Sequence, residues 1–295
     1  MKWLFSRRPA DLLTVLFVAV LLVLSVSFSR GIPQFPYLLA TYSLLFVVQL
    51  FLMRERPGNR KSGFAEMVRD IVFPVVCILI IFESLELIVH PINPKDVDPL
   101  LIRIDYLLFG GYPTVMLESI QIPILTDLLQ IAYSTYYFLP VSFGVALKLR
   151  GREREFDQAL FLILLCFYLS YVGYLLFPAL GPRYAMNHLH STELTGVFFA
   201  GPIQSVLNHL EGIKRDAFPS GHTAVALIVS VLAYRYYRKF FWVTAPVVAL
   251  LVLSTVYCRY HYVTDVIAGV ILTGITVFTG DRLYGYWQTR HRHSC

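Results

Sequence analysis

Three short stretches of an otherwise apolar chain carry side chains that bind anions or move protons. Residues 177–184 read Phe-Pro-Ala-Leu-Gly-Pro-Arg-Tyr and supply Arg183. Residues 218–223 read Phe-Pro-Ser-Gly-His-Thr, and residues 259–265 read Arg-Tyr-His-Tyr-Val-Thr-Asp. Serine, histidine, arginine and aspartate are the side chains expected of a site that handles a phosphate group. We therefore treat the three stretches as candidate parts of one site.

The second stretch has the features of an anion site at the start of a helix. Ser220 is a good helix N-cap, and the amides that follow are the unpaired donors of a helix start. Gly221 lets a ligand approach the backbone closely. The positive end of the helix dipole faces the same place, and His222 in the first turn can reach an anion bound there.

The third stretch pairs a histidine with a carboxylate. His261 and Asp265 are four residues apart and share a helix face, so the carboxylate can bond one imidazole nitrogen. Such a bond fixes the tautomer and leaves the lone pair of the other nitrogen free to attack. This is the logic of a catalytic triad with histidine as the nucleophile. Arg183 can neutralise phosphate oxygens with its forked donors.

Each of these residues also has an ordinary explanation when it is taken alone. A single histidine near the membrane interface is more often a hydrogen-bonded or snorkelling side chain than a catalyst. Pro-Ser-Gly is commonly just a turn before a helix, and Arg183, Lys214 and Arg215 can contact lipid head groups. The combination of two histidines, a helix-start serine and glycine, an arginine and a His–Asp pair favours a functional site.

The composition indicates that membrane helices position these residues. Hydrophobic residues make up 57% of the 295 residues and charged residues only 15%, which excludes a disordered protein, a coiled coil and most soluble enzymes. The net charge of +6 comes from basic residues scattered between apolar runs, so it does not indicate nucleic-acid binding. About eight segments are long and apolar enough to span a bilayer. They are residues 11–29, 37–53, 70–89, 122–147, 157–178, 220–238, 240–258 and 262–280.

The distribution of lysine and arginine predicts the orientation of this all-α bundle. With the N-terminus inside, the inner segments hold 18 of these residues and the outer segments hold seven. Both termini are then cytoplasmic. The first span resembles a signal peptide, but its apolar run is long and no small-residue cleavage site precedes Arg30, so we interpret it as retained. The prediction places all three stretches at the extracytoplasmic or lumenal face.

Two long outer loops, residues 90–121 and 179–219, lie on the same predicted side. Residues 100–108 predict a short interfacial helix, followed by a hinge at Gly110 and Gly111. Residues 202–210 carry apolar side chains at helical spacing. Loops of this length are more often functional than simple connectors.

The motifs resemble a known family. Pro219-Ser220-Gly221-His222 and His261-Tyr262-Val263-Thr264-Asp265 are similar to the second and third signatures of the type 2 phosphatidic acid phosphatase superfamily. The resemblance covers roughly residues 120–281, so it implies a catalytic bundle over 120–295 that follows N-terminal spans and an outer loop over 1–119.

The resemblance also implies roles for individual residues. His261 would attack phosphorus to form a phosphohistidine, Asp265 would orient His261, and His222 would protonate the leaving oxygen. Phosphoryl oxygens would be held by Ser220, the Gly221 amide and Arg183. Neither a metal nor another cofactor is needed for this chemistry.

Two departures from the family pattern point to a particular branch. Leu176 stands where the first signature has a lysine, and Thr255 stands where the third has an arginine. The candidates to replace these charges are Lys214, Arg215 and Arg259. Together with residues 104–110 and the 177–184 stretch, the departures resemble the inositol phosphorylceramide synthase branch, which transfers a phosphorylated head group to a lipid alcohol.

The third predicted span carries ionisable residues that are functional candidates by default. Glu83, Glu86 and His90 share one helix face, where they either shape a polar cavity, relay protons or simply pair with each other. We expect no direct catalytic role for them. Tyr133, Tyr136 and Tyr137 are candidates to face the same cavity, although tyrosines are also common near membrane interfaces.

The sequence therefore predicts a membrane enzyme that cleaves a lipid phosphate ester or head-group phosphodiester. Its substrate is a membrane phospholipid or lipid phosphate, and its acceptor is either water or a lipid alcohol. The alternative is a non-enzymatic lipid transporter or flippase that uses Glu83 and Glu86 as coupling groups. That alternative leaves the cluster of three stretches without an explanation.

Overall fold

The fold is helical throughout the part of the chain that the structure, a computed structural model, describes: residues 7–54, 63–210 and 214–292. Helix accounts for 81% of these described residues, which contain no strand. This confirms the predicted all-α class. The helices of ten or more residues are α1 Pro9–Ser27, α2 Phe35–Arg54, α3 Phe73–Ile92, α4 Asp98–Phe109, α5 Pro123–Ser134, α6 Leu139–Lys148, α7 Glu153–Leu176, α8 Ala200–Leu210, α9 Gly221–Tyr236, α10 Arg238–Tyr257 and α11 Val263–Arg292.

Six of the described helices are long and apolar enough to cross a membrane: α1, α2, α3 with the π-helical turn Val68–Val72, α7, α10 and α11. The protein is therefore a polytopic membrane protein. The other two predicted spans are shorter helices. The range 220–238 contains α9, whose 16 residues extend about 24 Å, less than the roughly 30 Å of a hydrocarbon core.

The predicted span 122–147 is interrupted in the structure. It consists of α5, a short 3₁₀ turn over Thr135–Tyr137, and α6. Pro140 explains the break, because it has no amide hydrogen to bond the carbonyl four residues earlier and it suits only the first turn of a new helix. The interruption falls next to the candidate site and brings side chains of the turn towards it.

The centre of the bundle is formed by α7 and α9. Almost every side chain from Gly221 to Val229 is buried, and small residues such as Ala224 and Ala226 let neighbouring helices approach closely. Helix α9 packs against α7, α10 and α11, while α2 packs on α1. The N-terminus of α9, which carries Ser220 and His222, contacts α5, α7 and α11.

Short helices cover the end of the bundle that contains the candidate site. The helix predicted over residues 100–108 is present as α4, which ends at Gly110 in a left-handed conformation with φ +69°. A second segment, Pro113–Ile120, follows at a bend of 60°. Helix α8 confirms the helical spacing in the second loop, and Asp127 holds its start by accepting four backbone amides from residues 197–200.

Candidate active site

Backbone hydrogen bonds join the three stretches that the sequence singled out. The amide of Arg183 donates to the carbonyl of Arg259 at 2.9 Å, which connects the first stretch to the third. The amide of Ser220 donates to the carbonyl of Asp265 at 3.0 Å, which connects the second to the third. The structure therefore brings Arg183, Ser220, His222, His261 and Asp265 into one region, although they come from three separate helix ends.

His261, the candidate nucleophile, is held by a backbone carbonyl. Its side chain is buried, and its Nδ1 lies 2.8 Å from the carbonyl oxygen of Ala217. A carbonyl oxygen only accepts hydrogen bonds, so Nδ1 carries the proton and Nε2 keeps its lone pair. That Nε2 lies 3.4 Å from Nδ1 of His222. The tautomer required for attack by Nε2 is thus set by a backbone carbonyl, which the sequence could not identify.

Asp265 approaches His261 without a direct hydrogen bond. Its Oδ2 lies 3.5 Å from Nδ1 of His261 and accepts the amide of Tyr262 at 2.8 Å. Its side chain is completely buried, and no described residue donates to Oδ1. The two groups are close enough to interact electrostatically, because solvent screening is weak in a buried site. The hydrogen bond that fixes the ring of His261 comes instead from the Ala217 carbonyl.

His222 packs against two tyrosines. Tyr133 lies near the end of α5, and Tyr136 lies in the 3₁₀ turn between α5 and α6. The ring of His222 stacks on Tyr133 with centroids 4.4 Å apart, and it lies 4.2 Å from the ring of Tyr136. The hydroxyl of Tyr133 is 3.4 Å from Nδ1 of His222. Two of the three tyrosines noted in the sequence thus contact a candidate catalytic histidine.

Ser220 and Gly221 both have structural roles at the start of α9. Ser220 is the N-cap of α9 as predicted: its Oγ accepts the amide of Thr223 at 3.2 Å and donates to Oγ1 of Thr223 at 3.0 Å. Gly221 faces the hydroxyl of Tyr174, which would lie only 2.3 Å from an added Cβ. Glycine is therefore needed at this position for packing, whether or not its amide binds phosphate.

The four basic residues expected near phosphate differ in their availability. Arg215 pairs with Asp96 at 2.8 Å, and Lys214 is exposed. The guanidinium of Arg183 is half-buried, lies 5.6 Å from the ring centres of Tyr184 and Tyr260, and forms no ion pair with a described residue. Of these four residues, Arg183 is therefore the strongest candidate to donate hydrogen bonds to a phosphate.

Arg259, in contrast, is engaged in an ion pair with Glu118. It is buried, has φ +65°, and its Nη2 bonds Oε1 of Glu118 at 2.9 Å. Burial lowers the pKa of Arg259, against the opposing effect of the Glu118 carboxylate. For Glu118, partial burial is outweighed by hydrogen bonds from Ser191 and by the charge of Arg259, so its pKa lies below the usual value of 4.5. This pair ties the loops 90–121 and 179–219 to the third stretch.

The positions where the family signatures have basic residues carry no charge here. Thr255 is buried, and its carbonyl oxygen accepts the amides of Tyr260 and His261 at 3.0 and 2.9 Å. It therefore helps to hold the turn that presents His261. Leu176 is 57% exposed at the end of α7, where it belongs to the apolar exterior.

Two buried aspartates of α4 organise the site, and sequence reasoning missed their role. Asp98 accepts the amides of Leu180 and Gly181 and the hydroxyl of Tyr262, each within 2.9 Å. It therefore joins the first stretch to the residue that follows His261. The sequence does contain a signal for this role. Two carboxylates lie seven residues, or two helical turns, apart on a largely apolar helix.

Asp105, the second of these aspartates, caps α11. Its carboxylate accepts the amides of Val263 and Thr264 at 2.9 and 2.8 Å and the Thr264 hydroxyl at 2.6 Å. It acts as an N-cap supplied by another helix, and its charge is favourable at a helix N-terminus. Because Asp265 lies in the first turn of α11, this cap also fixes the position of Asp265.

The ionisable residues of α3 lie apart from the histidines. Glu83 and His90 are exposed, and Oε2 of Glu86 accepts the backbone amide of Lys214 at 3.0 Å. Glu86 therefore holds the loop that leads into the second stretch. The neighbouring apolar residue Phe82, rather than Glu83, faces the interior of the bundle.

A long groove starts at His222 and runs between α3, α6 and α7. It contains about 1040 Å³ of unfilled space that includes an opening to the exterior. Asp216, His222 and four tyrosines contribute its polar atoms, and the remaining lining residues are apolar or glycine. The described residues include no group of three or more histidine, cysteine or acidic side chains arranged to hold a metal ion.

Comparison with known proteins identifies the family. A PA-phosphatase related-family protein of Dictyostelium discoideum is 30% identical over 118 residues, which are 39% of this chain and 20% of that relative. The aligned part is thus about a fifth of the relative's length. No solved structure matches the chain. The sequence profile described as the PAP2 superfamily matches residues 101–279, more than half of the chain and all three stretches of the site. The protein belongs to the PAP2 superfamily.

Proposed function

We propose that this protein is an integral-membrane phosphotransferase or phosphatase that acts on a lipid phosphate through a phosphohistidine on His261. Membership of the superfamily supports a membrane enzyme of the phosphatase or phosphotransferase type. The observation that carries the specific proposal is the Nδ1-protonated His261, whose Nε2 lone pair faces His222 at 3.4 Å. An apolar groove begins at His222, the neighbour of His261.

The proposed first step forms a bond between Nε2 of His261 and phosphorus. The phosphorus–oxygen bond to the leaving group breaks, and protonated His222 gives its proton to that oxygen. Arg183 offsets the charge on the phosphoryl oxygens, and Asp265 stabilises the positive imidazole. In the second step, water or a lipid alcohol gives its proton to His222 and attacks phosphorus, which releases His261.

The choice of acceptor distinguishes a lipid phosphatase from a head-group transferase of the inositolphosphotransferase type. Both share the first step, so the same residues serve either reaction. Leu176 and Thr255 stand where the family signatures have basic residues, as in the inositol phosphorylceramide synthase branch, and this resemblance supports the transferase reaction. A lipid transporter without chemistry remains the competing function, but it assigns no role to the His222–His261 pair.

Purified protein incubated with phosphatidate, polyprenyl diphosphate or phosphatidylinositol tests the proposal. Each lipid is supplied with and without a long-chain alcohol, and the products are identified by mass spectrometry. We expect turnover that disappears in both His261→Ala and His261→Gln, with a phosphorylated histidine peptide found only in protein that retains His261. His188→Ala is the matched control, because His188 is an exposed histidine of the outer loop. Wild-type turnover in both His261 variants would refute the role of this residue.

The location of the site at the extracytoplasmic or lumenal face is also part of the proposal. It rests on the excess of lysine and arginine in the alternate loops. In a background without the native cysteines, Thr195→Cys should react with an impermeant thiol reagent from outside. Leu149→Cys, at a residue that is 80% exposed, should react only after permeabilisation. The opposite labelling pattern would place the site on the cytoplasmic face.

A further inference from the structure

The groove that starts at His222 is polar at one end and apolar along the rest of its length. Asp216, His222 and the hydroxyl-bearing Tyr174 line the end beside the candidate catalytic residues, which we call the site end. Ile71 and Phe156 line the opposite end, which we call the far end. An occupant that matches this lining has a single polar group at the site end and a hydrocarbon chain directed to the far end.

The length of the groove can be read from the helix that lines it throughout. Phe156 and Tyr174 are separated by 18 residues of α7, which corresponds to about 27 Å at the rise of an α-helix. The hydrocarbon core of a bilayer is about 30 Å thick, so one leaflet supplies roughly 15 Å. The groove is therefore almost twice as long as the chain region of a single leaflet.

A cluster of charged side chains closes the far end of the groove. Phe156 lies under the ammonium group of Lys148, which is 4.7 Å from the centre of the ring. Lys148 pairs with Asp70 at 2.7 Å, and Arg8 bonds the same carboxylate at 2.6 Å. A hydrocarbon chain gains nothing by entering such a cluster, because it would displace hydrogen bonds between charged groups. The groove therefore sets an upper limit on chain length.

The groove is open to the surrounding bilayer along α3. Leu79 lines it and is nevertheless 47% exposed, so the apolar lining faces the hydrocarbon region of the membrane. We infer that the groove binds one hydrocarbon chain of the lipid substrate, and that this chain is long enough to extend through both leaflets. The inference deepens the proposed function and rests on it for the position of the phosphate at the site end. The ligand class is a long-chain or polyprenyl lipid phosphate.

Photo-crosslinking of the full-length wild-type protein in nanodiscs tests where the chain lies. Two alkyl monophosphates carry a diazirine at the last carbon, one with an extended chain of about 30 Å and one of about 15 Å, matching two leaflets and one. We expect the long probe to label peptides that contain Ile71 or Phe156. The short probe should label α7 near Leu164, ten residues from Tyr174. Labelling of only the site end, or only the membrane-facing exterior, by the long probe would overturn the inference.

A substitution inside the groove gives a second readout. Ala159 is buried one turn from Phe156, beyond the reach of the short chain, and Ala159→Phe fills the groove there. We expect the rate of phosphate release from the long probe to fall at least about tenfold relative to the short probe, because the displaced chain segment loses its apolar contacts. Val172→Phe is the matched control, since Val172 lies on α7 but is exposed and does not line the groove. Equal loss for both probes in folded Ala159→Phe would contradict the inference.

The two experiments separate this inference from the proposed function. If the wild-type protein releases phosphate from neither probe and from no other lipid phosphate, the proposed function fails. The labelling pattern still decides whether a long chain occupies the groove, because labelling does not require turnover. If both probes are cleaved but the long one labels only the site end, the inference fails and the proposed function stands.

Discussion

Asp98→Asn tests whether α4 positions the catalytic residues or merely stabilises the fold. Asp98 uses Oδ1 to accept from Gly181 and Tyr262 and Oδ2 to accept from Leu180. Asparagine has one side-chain oxygen, which can retain the two bonds at Oδ1. Its NH2 group then faces the Leu180 amide, so two donors oppose each other. The variant changes no volume and leaves no cavity.

The expected cost follows from the number of hydrogen bonds lost. One hydrogen bond to a charged acceptor is worth about 1.5–3 kcal/mol. At about 2–4 °C per kcal/mol for a large domain, the midpoint of thermal unfolding should fall by roughly 3–12 °C. Turnover should fall further than stability, because Tyr262 follows His261 directly and a displacement of about 1 Å at a reacting group costs on the order of 100-fold.

Asp127→Asn is the matched control for this variant. Asp127 is also buried and accepts backbone amides, but its partners belong to the start of α8 rather than to the three stretches of the candidate site. Turnover and unfolding are measured for both variants, with turnover expressed per folded molecule. Asp127→Asn loses two of its four hydrogen bonds, so we expect it to be destabilised at least as much as Asp98→Asn, and we expect a large loss of turnover only in Asp98→Asn. Equal turnover in the two variants would refute the positioning role of Asp98.

Three further predictions concern other contacts of the site. Since the pKa of Glu118 is depressed in the folded protein, its stabilising effect is complete above pH 4.5 and is lost as the pH falls through its folded-state value. The difference in unfolding midpoint between wild type and Glu118→Gln should therefore shrink on acidification from pH 6; a constant difference would contradict the assignment. Orthovanadate should inhibit turnover as a mimic of the transition state, and Arg183→Ala should weaken inhibition about 10- to 100-fold, whereas Arg215→Ala should have a smaller effect because Arg215 pairs with Asp96. Asp265→Asn should lower turnover about 100- to 1,000-fold by removing the charge 3.5 Å from His261, and near-normal turnover in this folded variant would exclude that electrostatic role.

Local signals in the sequence were sufficient for the elements that present the site. Ser220 is a good N-cap, and it caps α9 in the structure. Glycine ends helices in a left-handed conformation, and Gly110 ends α4 in this way. The three stretches were expected on one face because each lies at the end of a predicted span, and the structure joins them through backbone hydrogen bonds.

Long-range pairing was beyond what the sequence could predict. Arg259 and Arg215 were candidates for phosphate binding, but carboxylates 141 and 119 residues away occupy them. Residues that distant become neighbours only through the packing of helices. The same limitation concealed Asp98, whose partners lie beyond α7. The break at Pro140 was visible as a residue type, but apolar composition alone suggested an uninterrupted span over 122–147.

The charged cluster at the far end of the groove has a consequence for the biogenesis of the protein. Arg8, just before α1, bonds both Asp70 and Asp157, and the second partner is synthesised 149 residues later. At about 5–20 residues per second, a nascent chain waits roughly 7–30 s for that carboxylate. Thr14 in α1 likewise pairs with Tyr168 of α7 at 3.0 Å.

The first helix can therefore form its contacts with α7 only after α7 has been synthesised. Until then α1 lacks its partners on α7, and Arg8 is only partly neutralised. Nascent chains that stop before residue 157 should consequently be recognised by quality-control proteases, whereas chains that include α7 should resist them. The ion pair between Arg8 and Asp157 thus links the N-terminal helix to the central helix α7.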